Sequence, residues 1–292
     1  MKVLVTGGTG LLGGALLDLL LAAGHEVRCL VREGSSGASR LAPLPLDLVR
    51  GDAGDTRALS LALSGMEAIV HVAGIEYAAP LVEAARRVRV GRLVVVGSTS
   101  AHSAYPFRSG PKLRMEEVVR ESGLEYTIVR PTMIYGSELD KNMHRLLRFL
   151  DRSPIFPVFG SGENLWQPVY HEDCARGLYE ALVRPAAVGE SYDLPGAAPL
   201  TYLELVETAA GALGRKPRIV RLPLEPVRLA LAAVERLRLP LPIKSEQVLR
   251  LREDKAYPYD KAVEDLGYAP RPFREGISLE VARLRELGMV RP

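Results

Sequence analysis

Short runs of apolar residues alternate with longer helical stretches from the amino terminus to about residue 135. Continuous apolar runs without alternation are typical of parallel strands covered on both faces of a sheet. Helical stretches are predicted between them at 11–23, 55–64, about 78–90 and 112–122. They are followed by Gly24, Gly65, Gly91 and Gly123, and glycine accommodates the left-handed turn past a helix end. This alternation predicts an α/β fold with a doubly wound parallel sheet. The predicted strands are 2–7, 26–31, 47–51, 68–73, 92–98 and 126–131.

The second half of the chain has a less regular pattern. Strand-like segments at 166–170 and 190–194, with a helix at about 173–184 between them, are expected to extend the first sheet. Further helices are predicted at 202–214 and 226–237. We therefore expect two interleaved domains. They are a nucleotide-binding sheet domain, at 1–136 plus about 161–196, and a smaller, mostly helical substrate lobe, at 137–160 plus about 197–292.

A glycine-rich loop, TGGTGLLGG at 6–14, connects the first predicted strand to the first predicted helix. Gly7 permits the tight turn, Gly10 permits close approach of a pyrophosphate, and Gly13 permits close packing of helix on strand. The helix start supplies free N–H groups and a partial positive charge to phosphates. The loop therefore predicts dinucleotide binding. The expected contact residues in it are Gly7, Thr9, Gly10, Leu11 and Leu12.

The end of the second predicted strand indicates which dinucleotide is preferred. An acidic residue there would bind the adenosine ribose of NAD(H), whereas this strand ends in Arg32. A guanidinium can pair with the 2′-phosphate of NADP(H), and Ser35, Ser36 and Arg40 follow closely. We expect NADP(H) in preference to NAD(H), although the adjacent Glu33 favours the alternative. Past the third strand, Asp52 and the backbone of Ala53 are predicted to meet the adenine.

Six sequence motifs are spread along nearly the whole chain. They are TGxxGxxG at 6–13, GDAGD at 51–55, HVAG at 71–74, VVGSTS at 95–100, RPTMIYG at 130–136 and QPVYHEDCARGL at 167–178. Together they resemble the extended and atypical short-chain dehydrogenase/reductases, and within that superfamily the chain is similar to the atypical group around the NADPH-binding accessory subunit of respiratory complex I. The resemblance implies a Rossmann fold, an oxidoreductase or epimerase-like activity on a small-molecule substrate, and association as a homodimer or with a respiratory complex.

The same resemblance implies site residues. Ser98 or Thr99 stands where the family places a hydroxyl that binds the substrate carbonyl, and Lys112 stands where it places a lysine that binds the nicotinamide ribose. The other implied cofactor contacts are Ala73, Gly74, Pro131, Thr132 and Met133.

The catalytic tyrosine expected four residues before Lys112 is replaced by Arg108. A guanidinium stays protonated under ordinary conditions, so it is a poor proton donor. Tyr105 is a substitute donor if its phenol folds back toward the nicotinamide, and otherwise it is a partly buried surface aromatic. A literal Tyr-x-x-x-Lys at Tyr257 and Lys261 is rejected, because Pro258 interrupts any helix through both residues.

Two functions stay open: a reductase acting on a small or apolar carbonyl or quinone-like substrate, and a non-catalytic NADPH-binding sensor or accessory subunit. Nucleotide-sugar epimerase or dehydratase activity is a third alternative, weakened because it also uses that tyrosine.

Composition excludes several other classes. The net charge of +3 is spread over 38 basic and 35 acidic residues, which is too dilute for a nucleic-acid surface. Cys29 and Cys174 show neither metal-ligand nor disulfide spacing, so we expect no metal and a reducing, cytoplasmic location. We expect no signal peptide and no membrane span. The apolar segment 222–243 is predicted to be a helix packed on its own core, with a membrane or lipid surface as the alternative.

Overall fold

The computed structural model describes residues 1–140, 142–224 and 253–292. The helix predicted at 226–237 lies outside the described residues, as does the apolar segment 222–243 from residue 225 onward. The chain divides into two compact units. The first unit comprises Met1–Ile134, Val169–Pro195 and Pro258–Pro270, and the second comprises Tyr135–Pro168, Gly196–Tyr257 and Arg271–Pro292. Residues 258–270 therefore cluster with the first unit, and not with the helical lobe to which the sequence assigned them.

The strands and helices are as follows. The strands are β1 (Lys2–Thr6), β2 (Glu26–Val31), β3 (Asp47–Arg50), β4 (Ala68–His71), β5 (Arg92–Val96), β6 (Glu125–Pro131), β7 (Ile134–Tyr135), β8 (Ile155–Phe159), β9 (Leu165–Trp166), β10 (Val169–Tyr170), β11 (Glu190–Leu194), β12 (Leu200–Thr201) and β13 (Arg218–Leu222). The α-helices of the described residues are α1 (Leu11–Ala22), α2 (Ala38–Leu41), α3 (Thr56–Leu63), α4 (Ala78–Val88), α5 (Pro106–Arg120), α6 (Met143–Arg152), α7 (His171–Val183), α8 (Tyr202–Ala212), α9 (Asp260–Leu266) and α10 (Phe273–Glu286).

A seven-stranded sheet in the order β11-β6-β5-β4-β1-β2-β3 forms the centre of the first unit. Every neighbouring pair in it is parallel. The predicted doubly wound α/β fold is therefore confirmed. The direction of winding reverses between β1 and β4, and such a reversal opens a crevice at the carboxyl ends of these strands.

The sheet is covered on both faces, which explains the continuous apolar strands. Along β1, Val3 and Val5 face one apolar cluster together with Leu16 and Leu17 of α1. The intervening Leu4 faces a second cluster, which contains residues of α3 and α4. Both sides of β1 are therefore removed from water, and no polar position interrupts the strand.

Helix α5 begins earlier than the sequence predicted. The pattern indicated a helix over 112–122, but α5 starts at Pro106 and contains Pro111 in its interior. Pro106 occupies the first turn, where its missing N–H costs nothing. The early start places Arg108 and Lys112 on one helical face, because residues four apart lie one above the other.

The second unit is built on short strand pairs and helices. Its β8 and β13 pair in parallel, and β9 and β12 pair antiparallel. The start of α8 is a capping box in which Thr201 and Glu204 each accept a hydrogen bond from the other's backbone amide. The buried carboxylate of Asp151 accepts hydrogen bonds from Arg215 and Arg291, which ties the carboxyl terminus to α6. No helix within the described ranges has both the length and the apolar character needed to cross a bilayer.

Candidate active site

The glycine loop between β1 and α1 packs directly on neighbouring backbone. Gly7 has φ of +75°, in the left-handed region that favours glycine. A Cβ on Gly7 would lie 2.9 Å from the backbone nitrogen of Ala73, and a Cβ on Gly13 would lie 2.2 Å from the carbonyl oxygen of Gly7. These approaches are too close for any side chain. The loop spacing seen in the sequence is therefore required by backbone contacts with α1 and with the end of β4.

The start of α1 presents unpaired backbone donors. Gly10 is the residue before the helix, and neither a side-chain cap nor an acidic first-turn residue is present at this end of α1. The Gly10 amide itself donates to the carbonyl oxygen of Gly7 at 3.0 Å, which shapes the loop. A helix start without a side-chain cap keeps its N–H groups available to an anion. Together with the glycine approaches, this cradle fits the pyrophosphate of a dinucleotide.

Three guanidinium groups lie around the carboxyl ends of β2 and β3. Arg32 is exposed immediately after β2. Arg40 of α2 donates to the carbonyl oxygen of Thr9 at 2.6 Å, which places it against the glycine loop. Arg50 reaches the carbonyl oxygen of Arg32 at 3.5 Å. The short helix α2, absent from the predicted elements, is what brings Arg40 to the loop.

The segment after β3 is arranged by side-chain contacts to backbone. The Asp52 carboxylate accepts a hydrogen bond from the Gly54 amide at 2.7 Å, and Ala53 is buried. The ring of Tyr77 lies against Gly54, with an atom 3.5 Å from the position of a Gly54 Cβ. Tyr77 therefore lies near the predicted adenine contacts at the end of β3. Asp55 caps α3 by accepting a hydrogen bond from the Arg57 amide.

The buried side chain of His71 connects β1 to the loop after β4. Its Nδ1 lies 2.9 Å from the hydroxyl oxygen of Thr6, and its Nε2 lies 2.9 Å from the carbonyl oxygen of Gly74. Burial lowers the pKa of His71 to about 4, so the ring is neutral near pH 7. His71 therefore packs beneath the cofactor loop and holds Ala73 and Gly74 in place.

The two candidate hydroxyl groups after β5 have different surroundings. Thr99 is buried, and its hydroxyl donates to the carbonyl oxygen of Pro131 at 3.3 Å. Ser98 is half-buried, and its Oγ accepts from the Ser100 amide at 3.2 Å. Thr99 thus fastens the segment of Pro131, Thr132 and Met133 to the end of β5. Ser98 is better placed than Thr99 to meet a substrate oxygen.

Lys112 of α5 has an acidic partner that the sequence did not indicate. Its ammonium lies 3.2 Å from a carboxylate oxygen of Glu76. Burial acts to raise the pKa of Glu76, but a backbone hydrogen bond and Lys112 outweigh it and hold the pKa below its ordinary value. The carboxylate also crowds Gly74, since a Cβ there would lie 2.6 Å from it. Lys112 of α5 and Glu76, which follows β4, therefore meet beside Gly74, and no local sequence spacing connects these two elements.

Tyr105 is the residue that precedes α5. Its carbonyl oxygen accepts from the Arg108 amide at 2.9 Å, and its half-buried ring stacks on Phe107 with centroids 5.7 Å apart. Sequence reasoning placed it in a loop, whereas the structure makes it the N-terminal cap position of the helix that carries Arg108 and Lys112.

A chain of alternating charges crosses the carboxyl ends of β6 and β11. The guanidinium of Arg130 donates twice to the fully buried Glu116, at 2.7 and 2.6 Å, and Arg120 donates to the same carboxylate. Burial acts to raise the pKa of Glu116, but these two arginines outweigh it and lower the pKa. Arg130 also lies 3.7 Å from Asp193, which in turn contacts His102. Sequence reasoning missed this cluster, because its members are up to 91 positions apart.

Two family models match the chain. A model described as "NAD(P)H-binding" matches residues 7–148, and one described as "NAD dependent epimerase/dehydratase family" matches residues 111–194. The ceramide reductase of Caulobacter vibrioides is 32% identical over 238 residues, which cover 76% of this chain and 73% of that protein. The chain belongs to the NAD(P)H-binding, epimerase/dehydratase-like family of Rossmann proteins.

The chain is also similar to other proteins at lower identity. The mitochondrial NADH dehydrogenase [ubiquinone] 1 alpha subcomplex subunit 9 of Arabidopsis thaliana is 28% identical and covers 89% of this chain and 70% of its own length. Uncharacterized protein Rv2047c of Mycobacterium tuberculosis is 28% identical over 74% of this chain. The chain spans only 23% of that mycobacterial protein's length.

Solved structures agree with the family fold. The crystal structure of gox2253 is 26% identical, covers 99% of both chains and superposes with a TM-score of 0.81. A UDP-glucuronic acid 4-epimerase from Bacillus cereus, in complex with NAD, has a TM-score of 0.78 at 18% identity, covering 98% of this chain and 99% of its own. The latter shows the fold alone. The NAD(P)H-binding Rossmann fold predicted from the sequence is therefore confirmed.

Proposed function

We propose that this family member is an NADP(H)-dependent reductase for a small or apolar carbonyl or quinone-like substrate. The observation that carries the proposal is the position of Lys112 and Ser98. Both lie near the carboxyl ends of the parallel strands, on the same side of the sheet as the glycine loop. The similarity to a ceramide reductase supports reduction as the reaction class. A reduced nicotinamide supplies a hydride when it is bound.

The roles of the chain's own residues follow from their positions. The backbone of Gly7, Thr9, Gly10, Leu11 and Leu12 would hold the pyrophosphate. Lys112 would bind the nicotinamide ribose, with Ala73 and Gly74 beside that ribose and Pro131, Thr132 and Met133 beside the nicotinamide ring. Ser98, assisted by Thr99, would bind the substrate oxygen. Tyr105 and water are the two proton sources that the sequence leaves open.

The preference for NADP(H) rests on the arginines at the ends of β2 and β3. Arg32 and Arg40 would pair with the 2′-phosphate, whose charge an NAD(H) ribose lacks. We expect Arg32→Ala to weaken NADPH binding about tenfold, as the loss of one charge-assisted hydrogen bond requires, and to change NADH binding little. Calorimetric titration with both cofactors measures this, with Arg57→Ala on α3 as the control. Equal affinity of wild type and Arg32→Ala for NADPH would contradict the assignment.

The proposed activity is tested by combining cofactor binding with turnover. NADPH is titrated calorimetrically, and its oxidation is then followed by absorbance with menadione, phenanthrenequinone and decanal. We expect oxidation with at least one acceptor, and Lys112→Ala should slow it. An unchanged rate in Lys112→Ala would remove this residue from the mechanism.

A second function is favoured by Arg108. An arginine in the tyrosine position, together with the similarity to a complex I subunit, supports a non-catalytic NADPH-binding accessory subunit or sensor. Tight NADPH binding without oxidation by any acceptor would support this function over the reductase. An epimerase role draws on the epimerase/dehydratase family model and on fold similarity to sugar-nucleotide enzymes, and it is weakened by the same replacement of the tyrosine. In either function the two buried free thiols, Cys29 and Cys174, suit a reducing cytoplasm.

A further inference from the structure

A histidine and a carboxylate meet beside the candidate hydroxyl groups. His102 ends a short 3-10 turn, Thr99–His102, that follows β5. Its Nε2 lies 3.0 Å from each carboxylate oxygen of Asp193, near the end of β11. Residues three apart in a 3-10 turn eclipse one another, so His102 projects on the same side as Thr99. Thr99 reaches the carbonyl of Pro131 on β6, and His102 reaches the next strand of the sheet.

The carboxylate of Asp193 is positioned by Arg130. Asp193 is paired in register with Arg130 on the neighbouring strand, and one guanidinium nitrogen of Arg130 lies 3.7 Å from it. Arg130 is fixed by its two hydrogen bonds to Glu116, and Glu116 is fixed further by Arg120. Within the part of the chain that the structure describes, Arg130 of β6 faces the pair, with Glu116 and Arg120 of α5 behind it. Such a network holds an imidazole in one orientation and one tautomer.

The histidine is the most exposed member of this network. The His102 side chain is 39% exposed, compared with 32% for Arg120 at the other end, 18% for Asp193, 11% for Arg130 and 0% for Glu116. A purely structural ion pair has no need of a titratable ring at the exposed end of the network. A proton donor must have its ring where a substrate can reach it.

We infer that His102, oriented by Asp193, donates the proton that the missing tyrosine would otherwise supply. The inference rests on the proposed reductase function and gives it a catalytic residue. Asp193 is a positioning residue, because it acts through the imidazole. Since Nε2 faces the carboxylate, Nδ1 is the donating atom. Arg108 cannot fill this role, because a guanidinium does not release its proton.

The step balances with a reduced nicotinamide as the reductant. As the carbonyl carbon is reduced by hydride, the π pair of the C=O bond moves onto oxygen. The ring reacts in its doubly protonated form, with Nε2–H held by Asp193 and the second proton on Nδ1. A new O–H bond forms with the Nδ1 proton, and the N–H bond pair stays on the ring, which leaves a neutral imidazole in the Nε2–H tautomer. This neutral ring then takes a proton from a hydronium ion or a buffer acid, which restores the donor.

The first test is independent of turnover. Long-range ¹H–¹⁵N spectra report which nitrogen of a neutral imidazole carries the proton, and loss of one ring signal in His102→Gln assigns that ring among the five histidines. We expect the Nε2–H tautomer in the wild type and a mixture of tautomers in Asp193→Asn. A wild-type ring in the Nδ1–H tautomer would overturn the orientation by Asp193.

The second test separates a donor from a structural tie. With an acceptor that the wild type reduces, His102→Ala should lower the turnover rate about a hundredfold while NADPH affinity is retained. Added imidazole should raise the turnover rate of His102→Ala at least about tenfold, because the truncated side chain leaves room for an imidazole molecule to bind in place of the ring. His25→Ala is the matched control, since His25 precedes β2 at the amino ends of the strands, whereas His102 lies past the carboxyl end of β5.

Three outcomes are distinguished by these measurements. A slow His102→Ala rescued by imidazole supports the assignment. Full turnover in His102→Ala, or a slow variant that imidazole does not rescue, overturns the donor role while the reductase proposal stands. Absence of wild-type turnover with all three acceptors contradicts the reductase proposal itself and overturns the donor role with it.

Discussion

At the scale of single residues, Lys112 already has an acidic partner in Glu76. Both side chains are partly exposed, at 31% and 56%, so the ion pair is worth only a modest free energy. The Glu76 carboxylate lies beside Gly74, where the proposed function places the ribose of an anionic cofactor. Under that proposal, Glu76 would compete with the cofactor for the lysine.

We expect Glu76→Gln to tighten NADPH binding by about two- to fivefold, the range that an exposed ion pair allows. The variant removes a negative charge and frees the lysine without changing the shape of the side chain. Titration calorimetry measures the effect. Glu83→Gln on α4 is the control, because it also removes the carboxylate of an exposed ion pair, the one that Glu83 forms with Arg87 of the same helix. Weaker binding in Glu76→Gln would show instead that the carboxylate itself contacts the cofactor.

At the scale of elements, the packing of α1 against the glycine loop requires glycine at position 13 but not at position 14. A Cβ on Gly13 would overlap the Gly7 carbonyl, whereas a Cβ on Gly14 would lie 3.8 Å from the nearest atom, in ordinary contact. Gly13→Ala should displace the loop and reduce NADPH affinity by more than about tenfold. Gly14→Ala should leave binding unchanged and stabilise the fold by up to about 1 kcal/mol through helix propensity. Similar affinities in the two variants would contradict the close-packing argument.

The end of β4 provides a second prediction, through His71. Its pKa is lowered from 6.5 to about 4 in the folded unit, so the unfolded chain binds a proton in this range and the folded unit does not. Stability is therefore unaffected above pH 6.5 and is lost as the pH falls toward 4, by about 3 kcal/mol in total. Urea unfolding followed by circular dichroism should show this loss, and His71→Asn should abolish most of it. Parallel pH curves for the two proteins would count against the buried neutral ring.

The elements also show what could be predicted from sequence. The strands of the first sheet were found because burial on both faces leaves a continuous apolar run, and the glycine loop because its contacts are local. The start of α5 was not predicted, because Pro111 is expected to interrupt a helix, whereas it lies inside this one. The pairs of Lys112 with Glu76 and of His102 with Asp193 are 36 and 91 positions apart. Such pairs depend on the strand order, which no local pattern specifies.

At the scale of the whole molecule, one buried group in each unit makes stability depend on pH, and the two dependences have opposite signs. In the second unit, Glu280 of α10 is fully buried, close to the side chain of Asp140 and the backbone of Gly136. Burial, together with the nearby Asp140 carboxylate, raises the pKa of Glu280 from 4.5 to about 10. The folded unit therefore keeps this proton over a range in which the unfolded chain releases it. Stability is complete below pH 4.5 and is lost as the pH rises toward 10.

Glu280→Gln is therefore expected to stabilise the second unit at pH 7, by up to about 3 kcal/mol, because the amide needs no proton to remain neutral. The chain has a single tryptophan, Trp166, and it belongs to this unit, so its fluorescence reports unfolding there. Urea titrations at several pH values should show a wild-type midpoint that falls as the pH rises and a nearly level midpoint for the variant. Glu286→Gln, at an exposed position of the same helix, serves as the control. A wild-type midpoint that is level between pH 5 and 9 would mean that Glu280 is ionised in the folded unit, and the alkaline branch of the stability profile would then need another group.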